Sequence, residues 1–526
     1  MLKIINFLTK YKYIIFIILY LVFRVAILNI NSAEWGDSYR ILRATDYLKS
    51  FTYPSDEKRP PLFSALLLLN PLNDAIAGSR VIMLLLSLLI LTSFYFLLKQ
   101  INFSLTENQR FFSMVFLAIN PLFLYWSIRV YADSLFLLLM LLSLNIFYLY
   151  QKHFYRFLLP ALSFIAILAV LTRFEGYILF ACVFLAILLS VKRKFETLFY
   201  LIPFIFFLFL IIYFPQYSFY KNPIGSSYVD EAVGRVISLR EIFNFGLQYL
   251  FLLGNLYTIY FLAFSKNLIL RFFKDNLIIL FILLVHSALS FVWFAAVPRL
   301  FLPILPFLCI LFVIGFETFF NLTSRISTSV YLKNFWRREY LHYLTPVLLL
   351  ITYALGQAYL KLPFLLTNLV YFSLILVYSA LLLLVIFYHY KKVFILLVIV
   401  FNLVWGYMFI SLEKDTLKVL NTATLFFIDN YSPSGNVLTN DISSITRYYL
   451  GDKHYQTGLL TKGRDLSDVI KMNNIEYVIV TNEQNTEMSF TPSKHPYLTI
   501  LKEFRQVIGG KEFYTYIARV NVPLVK

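Results

Sequence analysis

Long apolar runs recur along most of the chain, and short polar connections separate them. An α-helix needs about 20 mostly apolar residues to cross the hydrocarbon core of a bilayer. The pattern therefore predicts about thirteen transmembrane helices, and an all-α polytopic membrane domain over residues 1–411. The predicted spans lie near residues 13–30, 80–98, 111–128, 134–150, 157–172, 177–191, 197–214, 248–264, 276–296, 300–320, 341–359, 364–388 and 393–410.

The pattern changes at Leu412. Short strand-like runs, such as Tyr477–Val480 and Tyr514–Ala518, then alternate with helix-like stretches such as Asp465–Met472. Such alternation predicts a small α/β domain over residues 412–526. This part of the sequence contains neither a glycine-rich phosphate loop nor a metal-binding spacing of cysteines and histidines.

Composition supports the membrane interpretation. Of the 526 residues, 60% are hydrophobic and 14% charged, and the mean hydropathy is +0.74. Soluble domains have about 45–50% apolar and about 25% charged residues. These values exclude a nucleic-acid reader, a secreted disulfide scaffold and a cytosolic enzyme. The two cysteines, Cys182 and Cys309, lie in apolar segments and form no metal motif.

The distribution of charge predicts the orientation. The chain carries 46 basic and 28 acidic residues. Of these, 33 basic and 16 acidic residues precede Leu412, and the basic ones concentrate in alternate short connections such as Lys192-Arg193-Lys194. Cytoplasmic loops are enriched in lysine and arginine. We therefore expect a multi-pass plasma membrane protein with a cytoplasmic N-terminus, an extracytoplasmic C-terminal domain and membrane lipids, rather than nucleic acid, around it.

Two connections on the predicted outer face are long. The first, residues 31–79, contains a helix-like stretch from Ser38 to Ser50. Arg40, Arg43 and Tyr47 share one face of it, as in a helix that lies at the membrane interface. The second, residues 216–247, is rich in turn-forming residues and is predicted to be a loop.

Charged residues also lie directly at the predicted outer ends of spans. Charges at a membrane border are costly and often functional, and turns that are distant in sequence bring these carboxylates and arginines to one face. The residues are Glu34, Asp37, Arg129, Asp133, Arg173, Glu175 and Arg299.

Four motifs carry a resemblance to a known family. The stretch Glu34–Tyr39, followed by Arg59–Phe63, resembles the first outer loop of the GT-C glycosyltransferases. This superfamily includes protein O-mannosyltransferases, lipid A aminoarabinose transferases and oligosaccharyltransferase catalytic subunits. Tyr131–Ser134 resembles the acidic motif that opens their fourth span, and Leu171–Gly176 and Pro298–Pro303 are similar to further motifs of the superfamily.

The resemblance implies an inverting transfer of a sugar, on the outer face, from a polyprenyl-phosphate carrier to a protein, lipid or glycan acceptor. Asp37 is the expected general base, with Glu34 as a second catalytic candidate. Arginine suits the phosphate of the leaving group because it makes bidentate contacts. The expected substrate-binding residues are Arg173 and Arg299 for the donor phosphate, together with Asp133, Arg129, Glu175 and Tyr39.

Each of these residues also has a simpler interpretation. Asp37 and Asp133 are alternatively caps of the helices that follow them. The arginines are alternatively residues whose side chains extend to the lipid headgroups. Glu175 alternatively only pairs with an arginine, and Tyr39 is an aromatic residue of the membrane interface. For Asp133, the resemblance leaves a divalent cation open as a cofactor, although the histidines stand singly along the chain.

Two other classes of function remain as alternatives. A transporter or flippase of lipid-linked glycans usually has paired repeats and charges near the bilayer midplane, whereas here the charges lie at one face. A non-catalytic subunit would use its outer domain to bind a partner. Loss of sugar transfer in an Asp37→Asn variant separates the enzyme from both alternatives.

Overall fold

The computed structural model describes residues 10–190, 194–213, 266–292, 298–323, 391–441, 443–456, 469–470, 473–483, 495–508 and 511–521. Its α-helices are α1 Lys12–Ala26, α2 Gly36–Leu48, α3 Leu62–Leu67, α4 Ala75–Gln100, α5 Glu107–Ile119, α6 Pro121–Ser127, α7 Asp133–His153, α8 Leu158–Val170, α9 Glu175–Ser190, α10 Thr197–Tyr213, α11 Lys266–Asp275, α12 Leu277–Val292, α13 Leu305–Thr323, α14 Lys391–Glu413, α15 Lys418–Asn430 and α16 Ile445–Leu450. Its strands are β1 Asn436–Thr439, β2 His454–Gln456, β3 Ile475–Thr481, β4 Leu498–Ile508 and β5 Lys511–Val520.

Every predicted apolar run within the described residues coincides with helical structure. Three helical segments there are long and apolar enough to cross a membrane, namely α4, α7 and residues 299–318, and the bent pair of α5 and α6 brings the number to four. The figure of about thirteen spans stays a prediction. The predicted spans near 248–264, 341–359 and 364–388, and the loop 216–247, lie outside the described residues.

The predicted span near 111–128 is broken at Asn120. Helices α5 and α6 meet there at an angle of 55°. Pro121 cannot donate a backbone hydrogen bond, and the Asn120 side chain instead accepts one from the Leu122 amide at 2.9 Å, which starts a new helix. At the far end of α6, the buried Arg24 donates to the carbonyl of Ser127 at 2.6 Å and to its hydroxyl at 2.8 Å. The break in the helix and the hydrogen bonds of Arg24 together fix the position of residues 128–132, the short loop that precedes α7.

The C-terminal part of the chain forms a mixed five-stranded sheet in the order β2-β1-β3-β5-β4. β1 pairs in parallel with β2 and β3, whereas β5 is antiparallel to both β3 and β4. The alternating runs that the sequence shows at Tyr477–Val480 and Tyr514–Ala518 lie in β3 and β5, and helix α15 packs against β4 and β5. A mostly helical chain with a small C-terminal sheet therefore agrees with the predicted fold class, while the boundary at residue 412 stays a prediction.

Helix α2, the first helix of the predicted outer loop, packs under this C-terminal domain. A Cβ atom placed on Gly36 would lie 2.5 Å from the carbonyl oxygen of Ser443, so only glycine allows the two backbones to come this close. The hydroxyl of Tyr39 donates to the side chain of Asn421 at 3.1 Å. Arg43 is buried in an ion pair with Asp56. Arg43, which the sequence assigns to a face at the membrane interface, thus contacts protein, whereas Tyr47 of the same face is exposed.

Candidate active site

Asp37 lies in the first turn of α2. The helix begins at Gly36 and its N-cap residue is Trp35, so Asp37 is one residue inside the helix. Its carboxylate forms an ion pair with the guanidinium of Arg59, and its Oδ2 atom lies 3.4 Å from the guanidinium of Arg299. The carboxylate therefore connects residues 31–79, the predicted outer loop, to the motif Pro298–Pro303.

The surroundings of Asp37 determine its protonation. Burial alone would raise the pKa of this carboxyl group, but the charges of Arg59 and Arg299 outweigh burial and lower the pKa from 3.8 to about 2. A carboxylate beside two guanidinium groups is stabilised in its charged form. Asp37 is therefore ionised at every physiological pH. While both arginines contact it, it is also a weak base.

Arg299 is held by aromatic rings as well as by Asp37. Its guanidinium carbon lies 4.8 Å from the ring centre of Tyr131 and 5.7 Å from that of Trp126. The two rings pack edge to face, with centres 5.4 Å apart. Cation–π contacts of this kind orient a guanidinium group while leaving hydrogen-bond donors in its plane. The aromatic wall therefore presents Arg299 toward Asp37.

A second group of charges surrounds Arg173. One guanidinium nitrogen of Arg173 donates to Oδ1 of Asp133 at 2.7 Å, and its Nε donates to Oε1 of Glu175 at 3.1 Å. Asp133 lies in the first turn of α7, whose N-cap residue is Ala132. Gly176 allows the tight connection from α8 to α9, because a Cβ atom there would lie 2.2 Å from the backbone nitrogen of Val170. Glu175 thus pairs with an arginine, as its simpler interpretation predicts.

One cavity connects the two groups of charges. Its volume is about 10 Å³, close to what one water molecule needs. Arg299, the partner of Asp37, and Arg173, the partner of Asp133 and Glu175, both line it. Its lining residues are Asp133, Phe136, Arg173, Glu175, His286, Leu289, Arg299, Leu300 and Pro303. The structure therefore gathers charged residues from three of the four motifs around this cavity, and the fourth motif supplies Asp37 through its contact with Arg299.

Glu34 lies outside this group. Its side chain is completely buried, and its Oε1 atom accepts a hydrogen bond from Nε of Arg80 at 2.8 Å. Its other oxygen accepts one from the Val130 amide at 3.3 Å. Arg80 also donates to the carbonyl of Asn31 at 2.9 Å. Both oxygens of Glu34 are thus engaged in a buried network that joins the segment before α2 to α4 and to the loop before α7.

Arg129 and Tyr39 are also absent from the lining of the cavity. Arg129 is completely buried, and its guanidinium carbon lies 4.8 Å from the ring centre of Tyr125 and 5.6 Å from that of Trp35. Tyr39 is equally buried and packs against the rings of Tyr448 and Tyr449 in the C-terminal domain. In this arrangement both residues hold elements of the fold together.

The geometry adds residues that sequence reasoning did not select. Arg59 is the most important, since it contacts Asp37 directly. A signal for it existed, because Arg59 directly precedes Pro60-Pro61 in one of the four motifs. His286 lines the cavity, but it lies in the middle of an apolar helix and the sequence offers no sign of this location.

The residues around the cavity do not fit a metal centre. Among the residues that the structure describes, no three His, Cys, Asp or Glu side chains are arranged to hold a metal ion. Both Asp133 and Glu175, the carboxylates nearest to His286 in the lining, are engaged by Arg173. The charge of one guanidinium group thus already balances these carboxylates in this structure.

Comparison with known proteins places this geometry in context. No protein-family model matches the sequence, and no curated protein sequence matches it significantly. The crystal structure of ArnT from Cupriavidus metallidurans bound to undecaprenyl phosphate is similar, with a TM-score of 0.61 and 13% sequence identity over 97% of this chain and 98% of that chain.

Two further solved structures are also similar. The oligosaccharyltransferase AglB from Archaeoglobus fulgidus, in complex with an inhibitory peptide and a dolichol-phosphate, gives a TM-score of 0.52 at 12% identity, over 91% of this chain and 70% of that chain. Arabinofuranosyltransferase AftD from Mycobacteria gives a TM-score of 0.50 at 12% identity, over 97% of this chain and 40% of that chain. All three are glycosyltransferases of the GT-C type. The chain therefore has the same fold as these glycosyltransferases, the GT-C fold.

Proposed function

We propose that this protein is a membrane glycosyltransferase that transfers a sugar from a polyprenyl-phosphate carrier to an acceptor hydroxyl at the outer face. The observation that carries the proposal is the contact of Asp37 with Arg59 and Arg299, at one end of a helical bundle with the GT-C fold. Two neighbours of that fold contain a polyprenyl phosphate in their structures. In this arrangement the carboxylate can act as the general base, and the two guanidinium groups can stabilise the charge of the departing phosphate.

The proposed reaction is a single displacement. The acceptor oxygen attacks the anomeric carbon, the bond from that carbon to the phosphate oxygen breaks, and the polyprenyl phosphate departs. The acceptor proton passes to the Asp37 carboxylate, and the anomeric configuration inverts. General base catalysis of this kind contributes about 10²–10⁴ in rate.

The two arginines couple donor binding to the activity of the base. In the structure their charges keep the pKa of Asp37 at about 2, which is too low for an efficient base. A donor phosphate beside Arg59 and Arg299 would share their hydrogen bonds and neutralise their charge, so that the pKa of Asp37 rises. The same guanidinium groups would then stabilise the charge of the departing phosphate.

The remaining charged residues receive supporting roles. We assign Arg173 to the donor phosphate, because it lines the same cavity as Arg299. Asp133 and Glu175 orient Arg173 from either side. We assign Glu34, Arg129 and Tyr39 to the architecture of the outer loop, since each is completely buried against neighbouring elements. A divalent cation is no part of this proposal.

The experiment that tests the proposal compares wild type with Asp37→Asn in matched membranes. Lipid-linked sugars and envelope glycans are measured by mass spectrometry. We expect one sugar to disappear from the glycans of the variant and its polyprenyl-phosphate donor to accumulate. The result would identify the reaction and the sugar together.

Asp46→Asn is the matched control. Asp46 lies on the same helix, is exposed, and pairs only with Lys49 among the described residues, so its amide variant should transfer sugar normally. Retained transfer in Asp37→Asn would contradict the assignment of the base. Normal glycans in that variant, combined with altered glycans after deletion of the whole protein, would instead indicate transport or a non-catalytic subunit.

A further inference from the structure

Asp56, which belongs to none of the four motifs, joins three parts of the molecule. Its two carboxylate oxygens lie 2.6 and 2.7 Å from the same guanidinium nitrogen of Arg43. Its Oδ2 atom also lies 2.8 Å from a guanidinium nitrogen of Arg447. Arg43 is on helix α2, six residues after Asp37, whereas Arg447 belongs to helix α16 of the C-terminal domain.

The loop that carries Asp56 also carries Arg59, the partner of Asp37. Within this loop the buried Glu57 accepts hydrogen bonds from the backbone amide of Arg59 at 3.0 Å and from its guanidinium at 2.8 Å. The hydroxyl of Tyr53 donates to the carbonyl of Arg59 at 2.9 Å. These hydrogen bonds hold the segment from Tyr53 to Arg59 together as one unit, so a shift of Asp56 would shift Arg59 with it.

The C-terminal domain approaches α2 at two further points. Nε of Arg40 donates to the hydroxyl of Ser444 at 3.1 Å, and the backbone of Gly36 packs directly on that of Ser443. Both points lie within a few residues of Asp37 on one side and of Arg447 on the other. The domain thus contacts the helix of Asp37 directly, and contacts the loop of Arg59 through Asp56.

We propose that Asp56 is a positioning residue through which the C-terminal domain, by means of Arg447, sets the distance between Asp37 and Arg59. The inference rests on the proposed function, because it assigns to the outer domain the role of holding the catalytic carboxylate against its arginine partner. Asp56 itself does not contact the reacting atoms.

The geometry explains why one partly exposed carboxylate can have this effect. Isolated ion pairs at a surface contribute little. Here, however, Arg43 is almost completely buried, and a single carboxylate lies between two guanidinium groups from different domains. Removing the carboxylate leaves two arginines facing each other, and their repulsion would separate α2 from α16. The loop that carries Asp56 would also lose its ion pair with Arg43 of α2.

The test uses the full-length protein in detergent or liposomes, with polyprenyl-phosphate sugars extracted from membranes as substrate. Release of polyprenyl phosphate is measured between pH 4.5 and 8 for wild type, Asp56→Asn, Asp56→Glu and Arg447→Gln. Asp46→Asn is the control. The groups that face Asp37 are Arg59, Arg299, Arg40 and Tyr131. Displacement of Arg59 should raise the pKa of Asp37 and therefore move the acid limb of the rate profile to higher pH.

We expect Asp56→Asn to lower turnover at pH 7 at least tenfold and to lower it further at pH 5. Arg447→Gln should show a smaller change of the same sign, and Asp56→Glu should recover part of the rate. An equal loss at every pH in Asp56→Asn, or no loss at all, would overturn the proposal, because a residue needed only for folding would not change the shape of the profile.

A second measurement does not depend on activity. Spin labels at the exposed positions Lys49 and Asp452 report the distance between α2 and the C-terminal domain. We expect the distance distribution to broaden in Asp56→Asn, whereas an unchanged distribution overturns the proposal. If wild type releases no polyprenyl phosphate but the distribution broadens, then the proposed function fails and the tie between the domains stands.

Discussion

The carboxylate of Asp37 lies 3.4 Å from the guanidinium of Arg299, although 262 residues separate them in the sequence. Asp37 lies in the first turn of helix α2 near the beginning of the chain, and Arg299 precedes helix α13. Trp126 and Tyr131, from a third region, hold the guanidinium in place. The relationship unites three separate segments at one site.

Replacement of Arg299 by glutamine should impair transfer rather than folding. The side chain would keep its polarity but lose the charge that we assign to the donor phosphate, so kcat/KM should fall by about 10²–10³. Release of polyprenyl phosphate by the purified variant measures the loss. Arg271→Gln is the control, because Arg271 is exposed and does not line the cavity. Equal rates in the two variants would exclude a role for Arg299 in the reaction.

Glu34→Ala should unfold the outer loop rather than remove a catalytic group. The change would leave Arg80 buried without its carboxylate, which typically costs 3–5 kcal/mol. A second substitution, Arg80→Leu, should recover part of this loss because it removes the uncompensated charge. Thermal unfolding of the single and double variants tests this expectation. Lost activity with an unchanged unfolding temperature in Glu34→Ala would instead support a catalytic Glu34.

Gly36→Ala should push helix α2 away from the C-terminal domain. The added Cβ atom would meet backbone atoms of Ser443 at 2.5–2.9 Å, where no side chain can move aside. Overpacking of this kind costs about 1–3 kcal/mol, and the displacement of Asp37 should lower the rate as well. Gly406→Ala is the control, because its Cβ atom would mainly meet the flexible end of Leu124, at 2.9 Å. Thermal stability and sugar release, measured together, should fall only in Gly36→Ala.

Glu483 should make the stability of the C-terminal domain depend on pH. Its carboxylate accepts hydrogen bonds from the amides of Val419 and Leu420, at the start of α15, yet burial raises the pKa of this group from 4.5 to about 7. The folded state therefore binds a proton more tightly than the unfolded state. The resulting stabilisation is complete below pH 4.5 and is lost as the pH rises through 7.

The comparison of wild type with Glu483→Gln isolates this effect. Burial lowers the pKa of His454 to about 4. This group therefore makes stability fall as the pH drops below 6.5, opposite to the effect of Glu483, but its contribution is common to both proteins. Between pH 5 and pH 8, wild type should lose on the order of 2 kcal/mol relative to Glu483→Gln. Thermal unfolding at the two pH values measures the difference. A constant difference would contradict the raised pKa.

The sequence by itself determined the properties that depend on local order. Apolar runs of membrane length predicted the long apolar helices in the described part of the chain, and alternating runs predicted β3 and β5, because the periodicity of a helix or a strand is visible in neighbouring residues. Short motifs at the ends of these runs pointed to Asp37, Asp133, Arg173 and Arg299. These inferences required no knowledge of how the helices pack.

Only the tertiary structure decided which charges meet. Glu34 and Asp37 are three residues apart and look alike in the sequence, yet Glu34 is buried against Arg80 while Asp37 contacts Arg59 and Arg299. Likewise, nothing near Asp56 indicates that Arg447 of another domain will contact it. An ion pair forms wherever packing brings opposite charges within a few ångströms, and that distance depends on the arrangement of whole helices rather than on any local pattern.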